Sequence, residues 1–240
     1  MDYDGTLAEF TPTPDDRSQR PEVVSLLTRL AQLPRSRVMI ISGRSLASLE
    51  AMLPVPGAFL AGTYGVEILT PAQELIRRIP LETLRPVVEQ VKHEWAEILD
   101  SRPGFYLEDK GWTIAIHARL AEPEEALRVL ADARAHAPTG VLEENGLVLF
   151  SGWQFLELAP QDASKARSVD YLLEHFPLPE ALLVYIGDDN RDEPAFRVVN
   201  AHGGMSVLVS PVDKTTQAQY RLEQPAAVRT WLAGIAETFA

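Results

Sequence analysis

Met1-Asp2-Tyr3-Asp4-Gly5-Thr6-Leu7 opens the chain with two carboxylates two residues apart, followed by a Gly-Thr turn. In an extended strand, residues i and i+2 share a face, so Asp2 and Asp4 leave one strand end together and converge on a single phosphoryl group or metal ion. Taken alone, the stretch also fits an acidic N-terminal turn without function, and the rest of the chain decides between the two. Working outward, Glu9 to Arg20 is polar, contains Pro12 and Pro14, and reads as a loop. Pro21 suits a first helical turn, and Val23, Val24, Leu26, Leu27, Leu30 and Leu33 then recur at near-helical spacing until Pro34. Arg37 to Ser42 is a short apolar run of the kind that fills a parallel strand covered on both faces. It ends in Ser42-Gly43-Arg44, and a helix follows through Leu46, Leu49 and Met52. Strand, polar turn and helix in that order make a right-handed βαβ arrangement the expectation.

Ala58 to Ala61 reads as another strand, closed by Gly62-Thr63-Tyr64-Gly65, with strand pieces at Val66 to Leu69 and Glu74 to Ile79 around Pro71. Pro80 marks a change of character. Leu81 to Asp100 is one long amphipathic helix burying Val88, Val91, Trp95, Ile98 and Leu99, and Pro103-Gly104 ends it. Phe105 to Glu108, a turn at Asp109-Lys110-Gly111, and the alternation of Trp112, Ile114 and Ile116 with Thr113, Ala115 and His117 predict an exposed antiparallel sheet. A helix from about Pro123 to His136 and strands at Gly140 to Glu143, Leu147 to Phe150 and Phe155 to Leu158 complete an α+β unit. The βα alternation then resumes. A helix begins near Ser164, a candidate cap, and runs through Val169, Leu172, Leu173 and Phe176. Ala181 to Ile186 is a buried strand ending in GDDNRDE, Pro194 starts a helix to Val199, Met205 to Val209 is a last strand, and Ala226 to Phe239 a closing helix. The expected class is α/β: a Rossmann-like parallel-sheet core, residues 1–80 and 160–240, interrupted by an inserted α+β domain, residues 81–159.

Composition narrows the function. The chain has 240 residues and 46% apolar content, enough for a full core. With 34 acidic against 22 basic residues and a formal charge of −12, it offers no electrostatic footprint for nucleic acid and would be repelled by an anionic membrane. No protein partner is implied. There is no Cys, which removes disulfides, thiolate chemistry and Cys-type zinc sites. No apolar run reaches the roughly 20 residues that span a bilayer, and no signal-peptide pattern opens the chain, so the expected location is the cytoplasm.

Strand C-terminal ends gather ligands in open α/β sheets. Asp2 and Asp4, Ser42, and Asp188 with Asp192 all occupy such ends, and Lys165 starts a helix. Carboxylates, a hydroxyl and one fixed cation form a consistent set for Mg²⁺-dependent phosphoryl transfer. The carboxylates would hold a hard cation, while Lys165, Ser42 and backbone amides stabilise charge on the equatorial oxygens. Each part has a plainer reading by itself: Lys165 as a solvated lysine, Ser42 as a helix cap, the acids of GDDNRDE as complements to a helix macrodipole.

DYDGTL, then ISGR, then Lys165, then GDDNRDEPAF resembles the four ordered motifs of the haloacid dehalogenase superfamily of phosphohydrolases, over essentially the whole chain. The inserted domain resembles the cap of its sugar-phosphatase branch. GDDNRDEPAF is similar to the GDDxTDEDAF signature of trehalose-6-phosphate phosphatases, and LEDKGWTIAIHAR, Leu107 to Arg119, resembles their cap motif. The resemblance implies that Asp2 attacks phosphorus, Asp4 protonates the leaving sugar oxygen and then activates water, and Ser42 and Lys165 hold phosphoryl oxygens. It implies Mg²⁺ held by Asp2, the carbonyl of Asp4 and Asp188, with Asp192 near or behind it. It places Arg44, Glu108, Lys110, His117, Arg119 and Glu157 on a small-molecule sugar phosphate. Trehalose 6-phosphate is the expected substrate, with sucrose 6-phosphate, mannosyl-3-phosphoglycerate or a catalytically weak sugar-phosphate binder as alternatives. The chain departs from the pattern at Trp153, where the family has Lys, at Ala159 for Arg, and at Tyr64-Gly65 for His-Gly. The superfamily's apolar strand before the first Asp is represented only by Met1. The expectation is that this strand precedes the numbered sequence or that the nucleophile is weakly supported.

Overall fold

The computed structural model describes residues 1–10, 20–152 and 154–239, so the Pro12/Pro14 loop and Trp153 lie outside the described residues. The elements run α1 (Pro21–Gln32), β1 (Met39–Ile41), α2 (Leu46–Met52), β2 (Phe59–Gly62), β3 (Glu67–Leu69), β4 (Leu75–Arg77), α3 (Leu81–Leu99), β5 (Tyr106–Asp109), β6 (Ile114–His117) and α4 (Pro123–His136). They continue with α5 (Thr139–Glu144), β7 (Leu147–Gly152), β8 (Phe155–Pro160), α6 (Lys165–His175), β9 (Val184–Gly187), α7 (Glu193–Ala201), β10 (Met205–Val209), β11 (Tyr220–Leu222) and α8 (Pro225–Thr238). Two compact units result: Met1–Arg78 with Ser164–Ala240, and Ile79–Ala163.

The first unit is a three-layer α/β domain. β1 and β2 pair in parallel, β3 and β4 extend them antiparallel, and β9, β10 and β11 form a second parallel set. Met1 and Asp2 bridge the two sets: the Met1 nitrogen donates to Met39 O at 3.0 Å, Ile41 N donates to Met1 O at 2.9 Å, and Asp2 N to Ile186 O at 2.9 Å. Strand alternation sends neighbouring side chains into opposite layers. Ile40, Leu60, Ile186 and Val207 pack with α1, α2 and α8 through residues such as Leu27, Leu49 and Leu232. Met39, Ile41, Phe59, Tyr185 and Leu208 pack with α6 and α7 through Val169, Phe196 and Val199. Two-sided burial is why RVMIIS is apolar without alternation.

In the second unit the sheet order is β5-β6-β8-β7, all antiparallel. Leu107, Ile116 and Leu156 stand in register on one face, and Glu108, Ala115 and Glu157 on the other. α3 buries Leu84, Val88, Val91 and Trp95, and the Trp95 Nε1–H donates to Ala133 O of α4 at 3.0 Å.

Several expectations are corrected here. Residues 140–143 are helical, in α5, because only Leu142 is buried and the backbone closes i→i+4 bonds from Pro138 O and Val141 O rather than presenting a strand face. The anticipated exposed alternation along β6 is absent: Ile114, Ala115 and Ile116 are all buried, since β6 is an inner strand and its Ala115 is shadowed by Glu108 and Glu157 on either side. The Ser164 side chain makes no capping bond, and its carbonyl accepts from Ser168 N instead. β11 gave no sequence signal, being a three-residue, mostly exposed strand. Among the described residues, no helix is long and apolar enough to cross a membrane.

Trp95→Ala is expected to destabilise the Ile79–Ala163 unit by about 3–5 kcal/mol, the range for deleting a fully buried large aromatic. A urea titration followed by far-UV circular dichroism reads this directly; a loss below about 1 kcal/mol would contradict a core role.

Candidate active site

The DYDGTL turn is anchored from beneath. Tyr3 and Leu7 are buried in the α1/α2/α8 layer, and Leu7 N and Ala8 N both donate to Tyr3 O, at 2.8 and 3.0 Å. Gly5 has φ +78°, a left-handed conformation that favours glycine, and a Cβ there would lie 2.3 Å from Asp188 Oδ2. The turn therefore presses closely on the acidic loop after β9. Thr6 strengthens the contact by donating from Oγ1 to Asp188 Oδ1 at 3.0 Å.

Lys165, the first residue of α6, is 4% exposed. Its Nζ lies 2.7 Å from Asp192 Oδ1, 3.1 Å from Asp2 Oδ1 and 3.9 Å from Asp189 Oδ1. Burial works against its charge, yet Asp192 and Asp2 outweigh it and hold the ammonium well above its ordinary pKa. Asp192 is fully buried and has both carboxylate oxygens occupied. Oδ1 accepts from Lys165 and, at 2.7 Å, from the Tyr185 hydroxyl; Oδ2 accepts from Asp188 N at 3.0 Å and Asp189 N at 3.2 Å. Burial alone would raise its pKa, but the Lys165 charge and the donated bonds hold it below the ordinary value. Gly187 makes the approach feasible, because a Cβ there would stand 2.2 Å from the Asp192 carboxyl carbon.

Asp2 and Asp188 are perturbed in the opposite sense. Burial raises Asp2 well above the ordinary range against the pull of Lys165, with Asp192 and Asp188 adding repulsion. Burial and the charges of Asp189 and Asp192 push Asp188 up to about 7. One carboxylate oxygen from each of Asp2, Asp188 and Asp192 falls within 4.8 Å of the others. An all-oxygen set with mutually repelling acids fits a hard divalent cation. Of the three, Asp2 and Asp188 have capacity to ligate, whereas the four acceptor positions of Asp192 are already filled.

Ser42 ends β1, 1% exposed, with its Oγ accepting from Arg44 N at 3.2 Å. The cap of α2 is Ser45, whose hydroxyl accepts from Ser48 N, so Ser42 is not spent on capping. Arg44 grips Asp4 through two points, Nε to Oδ2 at 2.7 Å and Nη2 to Oδ1 at 2.9 Å. Asp2 and Asp4 thus have different partners: Asp2 faces Lys165 and the acidic cluster, Asp4 faces Arg44.

The second unit gathers another polar set on the Glu108/Ala115/Glu157 face of its sheet. Lys110 Nζ lies 2.9 Å from Glu157 Oε1 and 3.6 Å from Glu108 Oε2, and His117 Nε2 lies 2.8 Å from Glu108 Oε2. Glu157 is fully buried. The His117 ring packs against Phe155 and Tyr106, with centroids 5.3 and 6.0 Å away. Arg119 lies exposed on the turn after β6.

Sequence reasoning missed Thr6, Tyr185 and Lys214. A tyrosine inside ALLVYI was itself a signal, because a buried phenol needs a partner. Lys214, which donates to Asp188 O at 2.7 Å, comes from a loop with no distinguishing pattern.

Residues 1–226 match the family described as trehalose-phosphatase. The trehalose-phosphate phosphatase of Mycobacterium marinum is 31% identical over 244 residues, covering 98% of this chain and 60% of that protein. The chain thus spans about 60% of the length of such curated relatives. Among solved structures, the C-terminal domain of C. albicans trehalose-6-phosphate phosphatase superposes with a TM-score of 0.83 at 23% identity, over 98% of this chain and 90% of that one. A haloacid dehalogenase-like hydrolase from Bacteroides thetaiotaomicron superposes at 0.67 and 18% identity, over 98% and 97%.

The Asp188 shift fixes a pH dependence. Between about pH 4 and 7 the folded state keeps a proton that the unfolded state has lost, so this group's contribution to stability declines as pH rises through that window. Differential scanning fluorimetry of metal-free protein should therefore show Asp188→Asn raising Tm at pH 7.5 and changing it little near pH 4. Added MgCl₂ should raise the wild-type Tm more at pH 7.5 than at 5.5, and raise that of Asp188→Asn less. A pH-independent response would contradict the assignment.

Proposed function

Because this chain belongs to the trehalose-phosphatase family and has the haloacid dehalogenase-like fold, we propose that it is a phosphomonoesterase that releases phosphate from trehalose 6-phosphate. The observation that carries the reading is the Asp2 carboxylate, 3.1 Å from a buried lysine and inside a cluster of acids with convergent oxygens.

Asp2 attacks phosphorus, forming an aspartyl-phosphate as the bond to the sugar oxygen breaks. Asp4 delivers the proton that oxygen needs, then takes one from the water that attacks the aspartyl-phosphate, releasing orthophosphate and regenerating Asp2. Lys165 holds Asp2 in place and stabilises charge at the phosphoryl group, and the Ser42 hydroxyl donates to one of its oxygens. Asp192 positions Lys165 and, through the Asp188 and Asp189 amides, the loop that carries Asp188. Arg44 orients Asp4. When bound, Mg²⁺, held by Asp2, the Asp4 carbonyl and Asp188, would neutralise the anionic nucleophile and phosphate and polarise the P–O bonds.

The inserted domain, residues 81–159, is read as the cap that selects the sugar. Glu108, Lys110, His117 and Glu157 present both donors and acceptors, which suits the hydroxyls of a polyol. Arg119 belongs to the same proposed set, from the turn beyond β6.

Phosphate release should be measured with trehalose 6-phosphate, sucrose 6-phosphate, mannosyl-3-phosphoglycerate and glucose 6-phosphate. The expected kcat/KM for trehalose 6-phosphate exceeds that for glucose 6-phosphate by at least about 100-fold, equivalent to about 2.7 kcal/mol of differential transition-state binding. Equal values would overturn the substrate reading. Asp2→Asn should lower kcat by about 10³-fold or more, the scale on which loss of a nucleophile acts, and unchanged turnover would refute its role. Lys110→Met should raise KM for trehalose 6-phosphate by about 10-fold, the loss of about 1.4 kcal/mol, with a smaller effect on p-nitrophenyl phosphate, which has no sugar; equal effects on both would count against sugar recognition by the cap.

A further inference from the structure

Asp188 is held at three of its atoms by three separate parts of the chain. Its N–H donates to Asp192 Oδ2 at 3.0 Å, its carbonyl oxygen accepts from Lys214 Nζ at 2.7 Å, and its Oδ1 accepts from the Thr6 hydroxyl at 3.0 Å. The first contact belongs to the network around Lys165. The other two have no part in the reaction described above, and of these the Thr6 bond is the one that reaches the carboxylate itself.

The direction of that bond is set by the turn that carries Asp2 and Asp4. Thr6 is fully buried, between left-handed Gly5 and Leu7, which packs into the α1/α2/α8 layer. Its N–H donates to Tyr3 O at 3.3 Å, and Gly5 N donates to Ala8 O at 2.7 Å, so the turn is closed by its own backbone. A β-branched side chain is stiff at χ1, and a threonine fixed in this backbone has little freedom to aim its hydroxyl elsewhere. Lys214, by contrast, is exposed, in the loop joining β10 to β11. That loop is tied to α7, where Thr216 Oγ1 and Gln217 N each donate to a carboxylate oxygen of Glu193 at 2.7 Å. It braces the Asp188 main chain and leaves the side chain to Thr6.

A carboxylate that serves a metal ion must present an oxygen in a fixed direction, yet the χ2 torsion of aspartate is broad and roughly two-fold. The need is sharper here, because Asp2 and Asp192 each bring an oxygen within 4.8 Å of one on Asp188, and like charges push the carboxylate outward. Both of its oxygens are seated on the DYDGTL turn: Oδ1 takes the Thr6 hydroxyl, and Oδ2 lies where a Cβ on Gly5 would stand 2.3 Å away. A donated hydroxyl also favours the ionised carboxylate, the form that ligates. We propose that Thr6 is a positioning residue whose hydroxyl orients the Asp188 carboxylate for a divalent cation. The inference rests on the reading of Asp188 as a Mg²⁺ ligand in a phosphatase and adds a residue to it.

Thr6→Val keeps the shape and the β-branch and removes the donor. The apparent Mg²⁺ affinity of the whole chain, read from the dependence of Tm on MgCl₂ at pH 7.5, is expected to fall about 10- to 100-fold in Thr6→Val, the scale on which partners of a metal ligand act. Thr6→Ser, which keeps the hydroxyl, should retain most of the affinity. Without metal, the Tm of Thr6→Val should lie within a few degrees of wild type, so a loss confined to Mg²⁺ binding separates positioning from general support of the fold. The MgCl₂ concentration for half-maximal phosphate release should rise by the same factor, with a smaller change in kcat at saturating MgCl₂. Thr6→Ser and Thr6→Ala carry the comparison if Thr6→Val does not fold. Unchanged Mg²⁺ affinity in the variants that lack the hydroxyl, or an equal loss in Thr6→Ser, overturns the proposal. A wild-type protein that binds Mg²⁺ but releases phosphate from none of the sugar phosphates refutes the phosphatase reading and leaves the Thr6 comparison decisive. A wild-type protein whose Tm does not respond to MgCl₂ overturns the reading of Asp188 as a ligand and this proposal with it.

Discussion

The Lys165 ammonium, buried and pressed against Asp192 and Asp2, is the contact on which the rest of the site depends. Carboxylates at one end of a sheet repel each other, and desolvation sharpens the repulsion. A single fixed cation lets Asp192 remain ionised, and an ionised Asp192 then organises its neighbours: the Tyr185 hydroxyl and the amides of Asp188 and Asp189 all point at it. Removing one member of such a buried pair costs about 3–5 kcal/mol, because the survivor stays charged and unpaired. The geometry of the Asp188 loop is therefore coupled to the charge on α6, two elements separated in sequence but adjacent in one layer.

The scaffold's part is to bring strand ends together without slack. Gly5 and Gly187 have no side chain where Asp188 and Asp192 must approach, so glycine at those positions is a packing requirement of the acidic loop as much as a turn preference. Tyr3 and Leu7 send the DYDGTL turn into the hydrophobic layer below, and the main chain at Met1 and Asp2 hydrogen-bonds to β1 on one side and β9 on the other. Asp2 thus sits where two parallel sets meet, the position at which open α/β sheets collect ligands.

Much of this was legible from residue order. Apolar periodicity marked α1 and α3, whose buried faces repeat at helical spacing, and RVMIIS announced β1 as a short apolar run; ALLVYI overstated its strand, since Ala181 and Leu182 are exposed and β9 begins only at Val184. The acids, Ser42 and Lys165 were legible because their spacing relative to strands and helices puts them at one edge. What was not legible depended on partners far along the chain. Nothing local to Arg44 says that its two donors meet Asp4, and nothing in ISGR says that Tyr64 will pack on Gly43. Residues 140–143 have strand-like composition but only one buried side chain, so local i→i+4 bonding won over a sheet that had no place for them.

The buried ion pair in the inserted domain carries a different lesson from the one on Lys165. Glu157 is fully buried beside Lys110, within a sheet whose other face is packed with leucine and isoleucine. For stability alone, replacing a buried ion pair with apolar residues is often neutral or favourable, so the pair is weak as a structural device. Under the proposed reading, its value would lie in what it offers a polyol. A charge held in place by its partner, with Glu108 and His117 one contact away, would on that reading exchange part of the network for ligand hydroxyls without first reorganising the sheet. A nitrophenol product has one phenolic hydroxyl to offer in exchange, whereas a disaccharide has many. Under the proposed reading, discrimination between sugars would arise from the desolvation that each alcohol can compensate.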